Sequence, residues 1–145
     1  MLGQPVAHCL ISEGHRVRAL VRNSEKARQV LGDAVEIFEG SALKQSDVRE
    51  AMSGCEAVHV NLTQEAELTA MQHVVASAVR SGVERVSYVS ATTACEENRW
   101  FEVVDVKMRT EEVLRRSEIP HAIFCPTWVM ETLHNTLFTG SAPPS

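Results

Sequence analysis

Apolar positions repeat along this chain in two alternating rhythms. Between Gln4 and Glu13, Val6, Cys9 and Leu10 recur at i, i+3 and i+4, one face of a helix. Gly14 closes it, as a residue tolerant of positive φ. "HRVRALV" then alternates, with Val17, Ala19 and Val21 on one side and Arg18 and Leu20 on the other, which predicts a strand. The helical rhythm returns in "NSEKARQVL", capped by Asn23 or Ser24 with Ala27, Val30 and Leu31 inward. "AVEIF", "EAVHVNL", "ERVSYVSA" and "PHAIF" read as four further strands. Between them lies "SDVREAMSG", opened by a capping Ser46. Residues 64–81 follow, with Leu68, Met71, Val74, Val75, Ala78 and Val79 on one stripe. "ENRWFEVVDVKMRTEEVLRRS" reads as one long helix with Val103, Val106, Thr110, Val113 and Leu114 inward, and "TWVMETLHNTLF" as a last one.

Strands and helices alternate strictly and their connections are short. That order predicts an α/β domain: a parallel sheet of about five strands, right-handed crossovers, and helices on both faces. The 145 residues suit one domain, expected over residues 1–138. The tail "TGSAPPS", residues 139–145, is small, polar and Pro-containing and is expected to be disordered.

Composition narrows the function classes. A net charge of -5 gives no reason to expect direct nucleic-acid contact or an anionic membrane, since both call for a basic face. One local basic cluster, Arg16, Arg18 and Arg22, stands out. No apolar run approaches the roughly 20 residues of a membrane span, and no charged start leads into a long apolar stretch, so a cytoplasmic location is expected. Cys9, Cys55, Cys95 and Cys125 lie far apart without a C-x-x-C pair, which favours buried reduced thiols over disulfides or zinc. The six histidines share no metal-binding spacing, and His59 reads as a half-buried strand residue.

The chemistry concentrates at element ends. Gly3 stands before a helix, where the last glycine of a phosphate-binding turn would let helix and sheet pack closely. Arg22, Asn23 and Ser24 follow the first strand, with Lys26 close behind and no acid among them. In a doubly wound sheet this strand end lies beside the adenosine ribose, where an acid favours NAD and an arginine favours NADP. A solvated arginine is the competing reading. Glu65, Glu67, Glu96 and Glu97 read as solvated helix starts, and "RTEEVLRRS" as a solubilising charged face. Trp100 and Phe101 suit core packing better than a substrate cleft.

"GQPVAHCLISEGHRVRALVRNSEKA", "VEIFEGSALKQSDVREAMSGCEAVHVNL", "RSGVERVSYVSA" and "KMRTEEVLRRSEIPHAIFCPTWVMETL" follow one another in the order and spacing of the NmrA-like family. These are atypical short-chain dehydrogenase/reductases with an extended Rossmann fold that binds NAD(P). The resemblance covers residues 2–135. Its most specific pieces are "GHRVRALVRN", "GVERVSYVSA" and the P-x-x-x-M-E-x-L of Pro126 to Leu133.

The resemblance implies a Rossmann-like domain incomplete at both ends. Met1 and Leu2 would occupy the variable positions of the family's T-G-A-T-G-x-x-G, so the first, central strand and two glycines are expected to be missing. The substrate lobe would follow Leu137. Gly3, Arg22, Asn23, Lys26, Ser41, Asn61, Leu62, Thr63, Ser90, Ala91 and Lys107 then become cofactor contacts, with NADP preferred to NAD. Ser41 replaces the aspartate of the family's G-D-L, and Cys125 the arginine of its R-P. In reductase members, a lysine matching Lys107 reaches the nicotinamide ribose and works with a tyrosine one helical turn earlier. Here that position is Val103, and Tyr88, the chain's one tyrosine, lies within a strand. Lys107 is therefore a cofactor contact, a solitary catalytic acid or a surface lysine. Three functional expectations stand: an NADP(H)-dependent oxidoreductase acting on a small molecule, a non-catalytic NADP-sensing regulator with a protein partner, or a truncated fragment without activity. An oligomer is compatible with each.

Overall fold

The computed structural model describes residues 3–127. The helix expected in "TWVMETLHNTLF", most of the Pro126–Leu133 motif and the tail lie outside them. Elements alternate as α1 (Gly3–Ser12), β1 (Val17–Val21), α2 (Ser24–Leu31), β2 (Val35–Glu39), α3 (Gln45–Ala51), β3 (Ala57–Val60), α4 (Gln64–Ser81), β4 (Arg85–Val89), α5 (Glu102–Arg115) and β5 (His121–Phe124). All ladders are parallel. β1 pairs β2 from Val17↔Val35 to Val21↔Glu39. β4 lies between β3 and β5, with Val60 opposite Tyr88 and Val89 opposite Phe124.

The five strands form two ribbons, β1–β2 and β3–β4–β5, and no ladder joins β1 to β3 among the described residues. This is the α/β parallel architecture expected, with its strands in two separate sheets. Other contacts bridge the ribbons. Leu20 packs against the main core. Arg18 donates through Nη1 to the carbonyls of Ala51 (2.9 Å) and Ser53 (2.8 Å) at the end of α3, and pairs with Glu36 at 2.9 Å. One guanidinium thus ties β1 to β2 and serves carbonyls that the end of α3 leaves without helical partners.

The core is uneven. Val48, Met52, Val60, Met71, Val74, Ala78, Val83, Val86, Tyr88, Leu114 and Ile119 form one buried cluster between α3, α4, α5 and the three-stranded ribbon. Through β2, only Ala7 and Val35 are buried among the described residues. On α1 the buried position is Ala7, while Cys9 is exposed. α2 buries none of its residues, Val30 included.

Several helices depart from expectation in instructive ways. The buried stripe of α4 runs Glu67, Ala70, Met71, Val74, Ser77 and Ala78, leaving Val79 75 % exposed. The face is turned by about one position from the all-apolar reading, because it includes two polar residues, Glu67 and Ser77, of which Glu67 has charged and hydroxyl partners inside. Gly82, at φ 71°, ends this helix in the left-handed conformation that glycine adopts without strain. Ser46 lies inside α3, not at its cap; the cap position is Lys44.

The expected long helix is broken. Glu96–Asn98 form a short 3-10 turn, and α5 begins only at Glu102. The Asn98 side chain donates back to the Thr93 carbonyl (3.1 Å), a local bond that competes with helix propagation. Trp100 is 83 % exposed and stacks at a tilt on Phe101, itself half exposed, so neither belongs to the core. The four cysteines are free, as expected, but none is buried: Cys9 and Cys125 are exposed, Cys55 and Cys95 intermediate. No described helix is long and apolar enough to cross a membrane.

Candidate functional site

Parallel strands put their carboxyl ends along one edge of each ribbon, and nearly every residue expected to meet a ligand falls at such a strand end. Arg22 follows β1, Ser41 lies two residues beyond β2, Asn61 to Thr63 follow β3, and Ser90 and Ala91 follow β4. Ligands of open α/β sheets bind along this edge.

At the β1 end, Asn23 has an extended backbone and accepts the Lys26 N–H through Oδ1 (2.8 Å), a well-formed cap for α2. Asn23 is thereby accounted for structurally. Arg22 and Lys26 are exposed. The charge of Arg22 is near enough to help hold the Glu65 carboxyl below its usual range, after the backbone N–H of Glu65 and the Thr63 hydroxyl. Glu39 accepts the Ser24 N–H (3.1 Å), which seats α2 on the end of β2; the Ser24 hydroxyl, then this N–H, lowers the Glu39 carboxyl.

At the β2 end the chain turns tightly. A side chain at Gly40 would meet Asp47 Cβ at 3.0 Å and Leu20 Cδ1 at 3.1 Å, so anything larger than glycine would press on these two side chains. Ser41 donates its N–H to Asp47 Oδ2 (3.0 Å), the largest of the contacts that lower the Asp47 carboxyl. Its hydroxyl accepts the Leu43 N–H. Both polar groups of Ser41 serve the turn. Around Gly3 the space is open, and an added Cβ meets nothing within 4 Å. The close helix packing expected to require a glycine there is not seen.

The β4 end holds an arrangement absent from the sequence reading. Glu67 is 2 % exposed and accepts from Lys107 Nζ at 2.6 Å through one oxygen and from the Tyr88 hydroxyl at 3.2 Å through the other. Lys107 also donates to the Val89 carbonyl (3.1 Å), and its ammonium lies 5.3 Å from the Tyr88 ring centre. The Lys107 side chain is only 16 % exposed, so it is no ordinary surface lysine. Burial, then the Glu67 charge, raises the Tyr88 phenol well above its ordinary value.

A second buried carboxylate stands beside it. Glu111, 5 % exposed, accepts the Ser90 hydroxyl and pairs with Arg115 at 2.8 Å. Glu67 and Glu111 were expected in solvent and are instead inside, each neutralised by a cation on α5. Glu65, Glu96 and Glu97 are exposed, as expected. A signal for Glu67 exists in hindsight: it precedes Ala70, Met71 and Val74 by three, four and seven positions, which places it on the buried stripe. On the sheet face opposite to Val86 and Tyr88, His59 Nδ1 meets the Ser87 hydroxyl at 2.9 Å, and burial lowers its pKa.

A family model described as NAD(P)H-binding matches residues 1–141. No curated protein matches the chain. Among solved structures, it resembles an NADPH-dependent quinone oxidoreductase from Escherichia coli at 22 % identity and TM-score 0.77, over 94 % of this chain and 47 % of that one. Triphenylmethane reductase of Citrobacter sp., complexed with NADP(H), gives 22 % and 0.76 over 92 % and 48 %. A nucleoside-diphosphate-sugar epimerase from Staphylococcus aureus gives 20 % and 0.80 over 94 % and 50 %. The chain thus spans about half the length of these proteins, and the likeness establishes a shared Rossmann-type fold. With the match across nearly its whole length, the chain belongs to the NAD(P)H-binding family, in the NmrA-like class of atypical short-chain dehydrogenase/reductases that its sequence resembles.

Proposed function

We propose that this chain is the dinucleotide-binding part of an NADP(H)-dependent oxidoreductase acting on a small organic molecule. The observation that carries the NADP preference is Arg22: an exposed guanidinium at the carboxyl end of β1, followed by Asn23 and Ser24, with Glu25 the nearest acid in sequence, in the first turn of α2. A guanidinium pairs with a 2′-phosphate by charge-assisted, often bidentate hydrogen bonds, whereas a ribose diol offers it no charge. Family membership and structural neighbours whose names specify NADPH or NADP(H) support the same reading.

The residues fit the cofactor in part. Arg22, with Lys26 nearby, would hold the ribose phosphate. Asn61, Leu62, Thr63 and Ala91 line the strand ends, and Lys107 offers the ammonium donor not used by Glu67 and Val89. Ser41 and Ser90 fit less well, because their polar side chains are engaged inward. Bound NADPH supplies hydride chemistry; the protein supplies position and charge. Lys107 would orient a hydroxyl or carbonyl oxygen near the end of β4.

Fluorescence titration with NADPH and NADH tests the reading. NADPH should bind at least about tenfold more tightly, the lower end of a charged hydrogen bond's worth. Oxidation of NADPH in the presence of quinones and triarylmethane dyes then tests turnover. Equal affinity for the two nucleotides overturns the NADP assignment, and binding of neither overturns the site. One observation favours a second reading, a cofactor-responsive regulator: Val103 stands one turn before Lys107 and provides no proton donor. NADPH binding without turnover, together with NADP-dependent capture of a protein partner, would favour it.

A further inference from the structure

We propose that Glu67 is the positioning residue of the site, fixing the Lys107 ammonium at the carboxyl end of β4 with Tyr88 as its brace. This rests on the reading of Lys107 as a cofactor or substrate contact. The elements involved are remote in sequence. Glu67 belongs to the first turn of α4, Tyr88 and Val89 to β4, and Lys107 to the second turn of α5.

The geometry leaves Lys107 little freedom. One N–H meets Glu67 Oε1 at 2.6 Å and another meets the Val89 carbonyl at 3.1 Å. Two of its three ammonium donors are therefore committed, which leaves one with no hydrogen-bond acceptor among the described residues. The Tyr88 hydroxyl holds the other Glu67 oxygen at 3.2 Å, and the Tyr88 ring lies beneath the ammonium. Tyr88 is fully buried, so this brace is anchored in the core.

Stability alone gives a poor reason for the arrangement. A buried ion pair is often no more stabilising than apolar residues of the same volume. Glu67 takes a place on the α4 stripe that an apolar side chain would fill, between β4 and α5 and close to Ala70 and Met71 in sequence. The carboxylate does something an apolar residue cannot: it sets where a cation sits. A lysine held in this way keeps its ammonium at one place, against the Val89 carbonyl at the end of β4 and level with Asn61, which continues the β3–β4 register opposite Val89.

The test uses the full protein, NADPH as probe, and the variants Glu67→Gln, Glu67→Asp, Lys107→Met and Glu67→Gln/Lys107→Met. Two signals are read. One is the hydrogen-bonded side-chain ammonium resonance of Lys107 by nitrogen-15 NMR, assigned by its disappearance in Lys107→Met. The other is NADPH affinity, with the KM and kcat for NADPH oxidation where turnover is measurable. Glu67→Gln should abolish the resonance and weaken NADPH about tenfold, the effect expected from a charged hydrogen bond. Lys107→Met should weaken it comparably, and the double variant no further, since both changes act on one contact. Glu67→Asp keeps the charge on a shorter side chain. It should fold and still bind NADPH less tightly, which secures the result if Glu67→Gln unfolds.

Folded Glu67 variants with the wild-type resonance and wild-type NADPH affinity overturn the assignment. So do additive losses in the double variant. If wild-type protein binds no NADPH, the functional reading itself fails, and the positioning role fails with it. A failure confined to the Glu67 variants leaves the functional reading standing.

Discussion

The Ser90 hydroxyl donates to Glu111, a carboxylate buried beneath the end of β4 and paired on its other side with Arg115. A residue at the ligand edge therefore turns its polar group inward. Ser90→Ala should destabilise the protein by about 1–3 kcal/mol, because it leaves a buried acceptor short of a partner. Urea unfolding measures the loss. NADPH affinity should remain that of the wild type, and a selective loss of affinity without loss of stability would return Ser90 to the ligand contacts.

Arg22 should behave in the opposite way. It is exposed and carries no packing role, so Arg22→Ala should leave the unfolding midpoint within the range of ordinary surface changes. NADPH binding should weaken by roughly tenfold or more, while NADH binding is unaffected. Raising the salt concentration should narrow the difference between the nucleotides in the wild type and leave the variant nearly indifferent, since exposed charges are screened.

Removing one member of the Lys107–Glu67 pair should be costly. Lys107→Met strands a buried carboxylate, and the expected destabilisation is about 3–5 kcal/mol. Glu67→Leu combined with Lys107→Met should recover most of it by replacing both charges with apolar volume. A denaturant-monitored double-mutant cycle gives the coupling directly. Near-additive losses would show that solvent already screens the pair.

Stability should fall at both ends of the pH range, for different residues. Tyr88 has a folded-state pKa raised above the unfolded value of about 10. Its contribution is complete below that value and is lost as pH rises above it, because only the unfolded chain releases the proton readily. His59 is depressed by burial below about 6.5, so its contribution is complete above that value and declines as pH falls towards the folded-state pKa. Tyr88→Phe should flatten the alkaline limb and His59→Asn the acidic one, read as unfolding free energy against pH. Unchanged limbs in both variants would assign the pH dependence to other groups.

Much of this architecture is legible from period and punctuation. The five strands and the helices α1 to α4 begin and end within a few residues of the expected places, because Gly14, Gly54 and Gly82 mark stops and the apolar alternation is strong. The interior charges are not legible. Glu67 meets a lysine 40 residues away, and Glu111 meets a serine 21 residues away. A one-dimensional pattern treats each as a solvated charge, because the partner that makes burial tolerable is supplied only by tertiary structure. Asn98 defeats the helix reading for a related reason: its side chain prefers the preceding loop to the helix that would continue through it. Trp100 and Phe101 are apolar by type, and nothing in their spacing reveals that the break at Arg99 turns them outward.

The division of the strands into two ribbons has a consequence for how the molecule breathes. β1 and β2, with α1 and α2, hold two buried apolar residues, while the main core lies from α3 onward. Amide protons of β1 and β2 should therefore exchange through a local opening of lower free energy than those of β4, whose strand is paired on both sides. A dinucleotide reaching from Arg22 to Lys107 would span both cooperative units. Its apparent affinity then includes the work of closing the weaker unit on the stronger one, and its binding should slow exchange in β1 without touching it along most of its length.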